Sequence, residues 1–465
     1  MLELLHRKNK ISINDYDYKQ DINIRLLVSS LSVDELNVLE ELLYSSIKTN
    51  LKDLSDNLDI DKNTLLLALE KFSKVNFLTI ENENILIDKK ARKYFEFEYS
   101  RFEDGFKADL LFFQVLLQKI PIHILPVWYS LPRTSNNIFK SIIEKYLSTP
   151  NILKRHIEDI KYENTIFENI LNDLYNSKNY ELDSIEIQKK YNFTREEYLE
   201  IILFLEFNFA LTLKYKKTDD ACIEVITPIQ EYQEYLLHLK NTLPDTIPNT
   251  KDLIKKRDSD FGFVEDMTSI LNMSKKTLPL DTVNENLKKE LNLKDPKINV
   301  SKTYLDSVIF RLLNLKFIEQ IDNNISITDN GNLWLEFDLE NKALHLYNHQ
   351  LYTFDQEDLP YKLFNEKAIR EAEKSISNIL KSSWVYFDDF IDSALAQLSD
   401  DKQMKLISLG KIYKYNIPTY TKEEKRFIKK VIFEKLFESA IVSIGSIKQK
   451  DCFKITDFGK TLFDI

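Results

Sequence analysis

Three short constellations carry residue types that could do chemistry. Gly459-Lys460-Thr461 matches the tail of a phosphate-binding loop, in which a glycine-rich turn aims backbone N–H groups at phosphates and a lysine neutralises them. The upstream glycine such a loop needs falls at Lys454, so the cradle cannot form. The overlapping Asp457-Phe458-Gly459 spells a magnesium-binding triplet of phosphoryl transfer, but no catalytic loop or glycine-rich loop accompanies it. With six glycines in the whole chain, phosphate cradles are not expected anywhere. His345 and His349 stand four apart on one helical face and could ligate a metal with a third group such as Glu340 or Asp355. Nothing in the spacing demands that third ligand, and a plain polar helix face explains the pair better. His6, His123, His156 and His238 are isolated, and no Ser-His-Asp or Cys-His set stands out. No catalytic, cofactor-binding or metal-binding residue is assigned, no cofactor is expected, and the chain reads as a non-enzyme.

Charge suggests a different chemistry in one place. Lys422, Lys425, Arg426, Lys429 and Lys430 fall on one predicted helix, with Lys435 further on, against Glu423, Glu424, Glu434 and Glu438. Lys448, Lys450 and Lys454 follow on a predicted β-hairpin, and Lys405, Lys411 and Lys414 surround Tyr413 and Tyr415 upstream. A helix and a hairpin that both present lysines can hold DNA phosphates. The same residues also fit a solvated helix face laced with Glu/Lys pairs four apart. The chain as a whole carries 64 basic against 74 acidic residues, a net charge of −10. That is not the balance of a protein that grips nucleic acid over its whole surface. It points to protein partners, with duplex DNA contact confined to the C-terminal patch: Lys422, Lys425, Arg426, Lys429, Lys430, Lys448, Lys450 and Lys454.

The elements that would position these residues recur along the chain. Four apolar tetrapeptides read as strands that end a hairpin: Ile85 to Asp88, Glu224 to Thr227, Ile325 to Thr328 and Phe453 to Thr456. Each follows a second β-rich patch, at Phe77 to Ile80, Phe209 to Leu213, Phe317-Ile318 and Ala440 to Ile444, and each patch follows a helix-period segment. In the first unit Val33 to Tyr44, Leu51 to Leu58 and Lys62 to Val75 read as helices, the third capped by Asp61. Thr194 and Glu197 form a capping-box pattern in the second unit, and Ser301 to Leu315 is the corresponding helix of the third. The last two hairpins end in Thr-Asp-x-Gly, at Thr328 to Gly331 and Thr456 to Gly459. The threonine closes the strand and caps the next helix, and the aspartate adds charge that the helix dipole favours.

Helices, then a hairpin, then a return to helix, with these hairpin endings, resembles the winged-helix class over most of the chain. The resemblance implies a mainly α fold with small β-hairpin wings (α+β), as about four tandem winged-helix domains joined by helical connectors. The first, with an N-terminal arm, is expected at 1–98. A helical connector broken by Pro121, Pro126, Pro132 and Pro150 fills 99–163, and its apolar segment Leu110 to Leu117 is expected to be buried between units or in a homodimer. The second winged helix is expected at 164–240, a linker with Pro244, Pro248 and Lys255-Lys256-Arg257 at 241–260, the third winged helix at 261–349, a second linker at 350–361, and the basic fourth winged helix at 362–465. The hairpin ends at Asp88, Thr227, Thr328 and Thr456 are irregularly spaced, which fits tandem domains with insertions and not a solenoid.

Two narrower likenesses follow. The Trp384-containing helix, the long middle insertion and the ending Phe453 to Gly459 look like the helicase-associated winged-helix repeats found beside bacterial excision-repair helicases, although no helicase motor is present. The acidic, tandem character is similar to kleisin-binding subunits of bacterial condensins. Both imply an accessory or scaffold role in a DNA-processing or chromosome-maintenance complex; a winged-helix transcription regulator is the alternative. The acidic third helix of unit two, with Arg195 against Glu196, Glu197, Glu200 and Glu206, speaks against DNA contact there. Apolar residues at 43% and aromatics at 12% support packed cores. Two cysteines, Cys222 and Cys452, fit a reducing, cytoplasmic setting without disulfides. Met1 to Lys10 holds no long apolar run, so no signal peptide is expected, and no segment reads as membrane-spanning. Heavy use of Ile, Lys, Asn, Tyr and Phe suggests an AT-rich, bacterial genome.

Overall fold

The computed structural model describes residues 10–132, 136–217, 222–294, 302–349, 365–378, 383–410 and 412–463. Within them the chain is mainly helical with small antiparallel sheets. One order of elements recurs four times: helix, very short strand, helix, third helix, hairpin, helix. In the first repeat these are Val33–Tyr44, Lys48–Asn50, Leu51–Leu58, Lys62–Lys74, Leu78–Glu81 with Asn84–Ile87, and Lys89–Tyr99. The second runs Thr165–Asn176, Leu182–Asp183, Ser184–Tyr191, Arg195–Phe207, Thr212–Lys217 with Cys222–Thr227, and Gln230–Thr242. The third runs Gly262–Met273, Leu278–Pro279, Leu280–Lys294, Lys302–Asn314, Ile318–Ile321 with Asn324–Ile327, and Asp329–Leu335. The fourth runs Glu366–Lys374, Val385–Tyr386, Phe387–Phe390, Lys422–Lys430, Val442–Ile447 with Lys450–Ile455, and Asp457–Phe463. In all four the short strand pairs with the second hairpin strand, not the first.

The residues explain why the elements begin and end where they do. Asp61 caps its helix through the N–H groups of Asn63 and Thr64, and Thr194–Glu197 and Thr421–Glu424 are full capping boxes. Every third segment, including the turn that prolongs it in the fourth repeat, leads to one residue in the left-handed region, at Asn76, Phe209, Lys316 and Ala440. For a side-chain-bearing residue that conformation costs about 1 kcal/mol, so the packing around it must hold the turn. In the first, third and fourth repeats the next residue starts the hairpin, and its carbonyl accepts from the residue that ends it: Asp88 N to Phe77 O at 2.9 Å, Thr328 N to Phe317 O at 3.0 Å, Thr456 N to Ile441 O at 3.0 Å. Thr328 and Thr456 then cap the following helix by accepting from the N–H of Gly331 and Gly459. A Cβ at Gly331 would lie 2.3 Å from Phe317 O, and at Gly459 2.2 Å from Ile441 O. The glycine of Thr-Asp-x-Gly is therefore required by the close approach of the last helix to that carbonyl.

The chain divides into two compact units, Met1–Leu237 with Lys405–Asn416, and His238–Met404 with Ile417–Ile465. In the first, Leu110–Leu117 is buried between the first two repeats: Phe112 stacks on Phe97 at 4.6 Å and Phe113 meets Phe209 at 5.5 Å. The same unit holds a sealed ionic cluster. Arg101 reaches Glu206 at 2.8 Å and Glu98 at 2.9 Å, Arg25 reaches Glu206 at 2.6 Å, and Lys119 reaches Glu98 at 2.8 Å and Asp21 at 2.5 Å. In the second unit the third and fourth repeats share one apolar core, from Phe263, Met267 and Val308 to Phe427, Val431 and Phe453. Part of the expected 241–260 linker is ordered as a strand: Ile254–Lys255 pairs with Val442–Ile447 and widens the fourth sheet to four strands. The expected linker at 350–361 lies outside the described residues. Among the described residues, no helix is long and apolar enough to cross a membrane.

Candidate nucleic-acid interface

Helix Lys422–Lys430 owes its orientation to its sequence. Glu424, Phe427 and Ile428 are buried, at helical spacing, and the helix runs on through a wider-wound turn, Val431–Leu436. Lys422 and Arg426 are left exposed on the opposite face, and Lys425, Lys429 and Lys430 are half-buried beside them. Lys448 and Lys450 are exposed at the hairpin tip, where Lys448 and Gln449, with φ of 49° and 67°, form a two-residue turn.

Helix and hairpin meet through Lys429, which pairs with Asp451 on the second hairpin strand and lies 5.7 Å from both the Phe387 and Phe433 ring centres. Lys450 lies 5.7 Å from the Tyr386 ring centre. Lys454 is half-buried and faces Asp260 at 3.6 Å, so its charge is partly met within the protein. Lys435, which the sequence places on the same basic helix, is buried: it donates to Glu373 at 2.6 Å and to Tyr347 O at 2.9 Å. Burial pushes its pKa down, against the opposing pull of Glu373. Lys435 is therefore a core cation, not part of a surface for phosphates.

In the other third helices several charges are met by the protein itself. In the first repeat Lys62 pairs with Glu83 of the hairpin turn at 2.8 Å, and Lys71 with Glu35 at 2.6 Å. In the second, Arg195 grips Glu224 of its hairpin with both terminal nitrogens, at 2.8 and 2.5 Å, while Tyr215 donates to the same carboxylate. Glu206, at first sight part of a repelling acidic face, is fully buried. Burial alone would raise its pKa, but Arg101 first and Arg25 second hold the carboxyl down to about 2. In the third, Arg311 is buried against Glu438 at 2.6 Å.

The candidate groups for other chemistry are arranged as follows. His345 and His349 are neighbours, with ring centres 5.7 Å apart, and burial lowers the pKa of both. Among the described residues no three His, Cys, Asp or Glu side chains gather as metal ligands. Lys460 pairs with Asp457 at 2.7 Å inside the last helix. Cys222 and Cys452 are free thiols, and burial pushes Cys452 up to about 11. Sequence reasoning put Trp384 on a helix, whereas it leads into the strand Val385–Tyr386, which pairs with the second hairpin strand; it also missed the strand Ile254–Lys255, the inward turn of Lys435 and the buried cluster around Glu206. Only the last left a trace, as arginines and glutamates inside otherwise apolar helical segments. Models of known protein families give no match to this chain, and neither do the curated proteins.

Proposed function

We propose that the four repeats are winged-helix domains, and that the protein is a non-enzymatic scaffold of a DNA-processing or chromosome-maintenance complex. It binds proteins and meets duplex DNA through its fourth repeat. The fourfold recurrence of one strand order, short strand–second hairpin strand–first hairpin strand, supports the fold reading. The observation that carries the functional reading is the basic surface of the fourth repeat: Lys422 and Arg426 are exposed on the outer face of its third helix, with Lys448 and Lys450 exposed at the adjoining hairpin tip, whereas the hairpin tip of the first repeat holds Glu81 and Glu83. Three of these four exposed cations are lysines, and contacts to phosphates carry no sequence information, so binding is expected to depend on salt more than on sequence. Selection from a random-sequence duplex pool tests this. A pool recovered without enrichment supports the scaffold; one strongly enriched site with two half-sites would instead make the chain a transcription regulator.

A further inference from the structure

The fourth repeat is interrupted between its second and third helices by a hairpin, Leu406–Leu409 with Ile412–Tyr415, that belongs to the first unit. Its base is anchored there: Leu406 N donates to Ser148 O and the Tyr415 hydroxyl to Leu147 O, both at 2.9 Å, and Tyr235 packs edge-on to Tyr415. The pairing Leu406 with Tyr415, Ile407 with Lys414, Ser408 with Tyr413 and Leu409 with Ile412 sorts the side chains onto two faces. One face holds Tyr415 and is seated. The other holds Ile407, Leu409, Ile412 and Lys414, and its tip pair is bare: Leu409 is 55% and Ile412 64% exposed.

A two-stranded ribbon with an exposed aliphatic tip is marginal and prone to aggregate unless it has an occupant or a repelling charge. The segment 405–416 has Lys405, Lys411 and Lys414 and not one acidic residue, in a chain of net charge −10. Gly410, at φ 68° and with open space where a Cβ would stand, keeps the tip narrow. We propose that this hairpin is a second nucleic-acid contact, an arm that enters a groove of duplex DNA with Lys405 and Lys414 on the phosphates and Leu409 and Ile412 as an apolar wedge against a base step. A ribbon of this width fits a DNA groove, and aliphatic wedges partly unstack flexible steps. The inference extends the DNA reading to a separate surface and does not use the helix Lys422–Lys430.

The test uses the full-length chain and a duplex carrying 2-aminopurine at a TA step, the kind most easily unstacked. Wild type is expected to raise the probe's fluorescence. L409S/I412S is expected to lose that rise at an unchanged salt slope, and K405A/K414A to lower the slope by about 2, near 0.9 per phosphate. Both tip residues are exposed, so circular dichroism should match wild type. The inference is overturned if both variants bind and unstack as wild type does. It is also overturned if the hairpin residues are needed only for binding phosphatidylserine vesicles, or only for self-association in sedimentation. Loss of DNA binding in K422A/K425A with the hairpin variants silent would uphold the fourth-repeat interface alone and overturn the arm; the reverse pattern would uphold the arm alone.

Discussion

Glu206→Gln should destabilise the first unit by about 3 to 5 kcal/mol. The cluster around it is balanced, with Arg25, Arg101 and Lys119 against Asp21, Glu98 and Glu206, and every member is nearly inaccessible. Glutamine keeps the shape but leaves three buried cations facing two carboxylates, and removing one partner of a buried pair typically costs about 3 to 5 kcal/mol. The depressed pKa of the carboxyl points to the same order of magnitude. Holding the carboxyl at about 2 against an ordinary 4.5 is worth about 3 kcal/mol, at about 1.36 kcal/mol per unit. Because the folded value is depressed, this stability is present above pH 4.5 and is lost as pH falls from 4.5 towards 2. Trp128 is the tryptophan of the first unit, while Trp334 and Trp384 belong to the second. Urea unfolding followed by fluorescence in a Trp334→Phe, Trp384→Phe background therefore reports the first unit alone. Glu206→Gln should shift the midpoint down at neutral pH and flatten the acid limb between pH 4.5 and 2. A loss under about 1 kcal/mol, or an unchanged acid limb, would refute the idea that this cluster joins the first two repeats as a charge-balanced unit.

Glu231 gives the opposite pH signature in the same unit. It is buried, one oxygen accepts from Leu110 N at 2.9 Å and the other has no partner, and burial raises its pKa from 4.5 to about 7. With the folded value raised, stability should fall by about 3 kcal/mol as pH rises from 4.5 to 7, and Glu231→Gln should abolish that slope in the same unfolding assay. Gly459→Ala should cost about 1 to 3 kcal/mol in the second unit, because its Cβ meets Ile441 O at 2.2 Å; Trp334 and Trp384 fluorescence in urea reads it. Gly105→Ala, where φ is 84° but space is open, should cost only about 1 kcal/mol. Thr421→Ala removes the capping hydroxyl of a capping box and should cost about 1 kcal/mol of the fourth repeat's stability, read by the same fluorescence.

Local signals were legible and distant ones were not. Val33–Tyr44 ends where its caps and apolar spacing place it, Asp61 and Thr194 cap as expected, and Thr328 and Thr456 close strands whose following glycines are forced by a nearby carbonyl. The caps depend on residues within a few positions of one another, and the glycine–carbonyl contacts on residues separated by a single hairpin. The short strands Lys48–Asn50, Leu182–Asp183, Leu278–Pro279 and Ile254–Lys255 hold two or three residues, too few for a period-2 pattern. Glu206 reads as a surface acid because its partners, Arg25 and Arg101, are 181 and 105 residues away. Lys435 misleads for a geometric reason. Four residues past Val431 and seven past Ile428, it falls on the apolar face of the helix, and the carboxylate that meets it there, Glu373, is 62 residues away in sequence. At the candidate interface, the charges were visible in sequence, but their partition into exposed lysines and internally paired ones was not.

The central claim is that duplex DNA is held by the outer face of helix Lys422–Lys430 and the adjoining hairpin tip. The most direct test is the affinity of the full-length chain for a duplex oligonucleotide across a salt series, with and without Lys422, Lys425, Arg426 and Lys448→Ala. Wild type should show a steep linear fall of log affinity with log salt. The variant should show a slope smaller by about 3 to 4, near 0.9 for each phosphate it no longer neutralises. Equal slopes for the two proteins, or no salt-dependent binding by wild type, would contradict it.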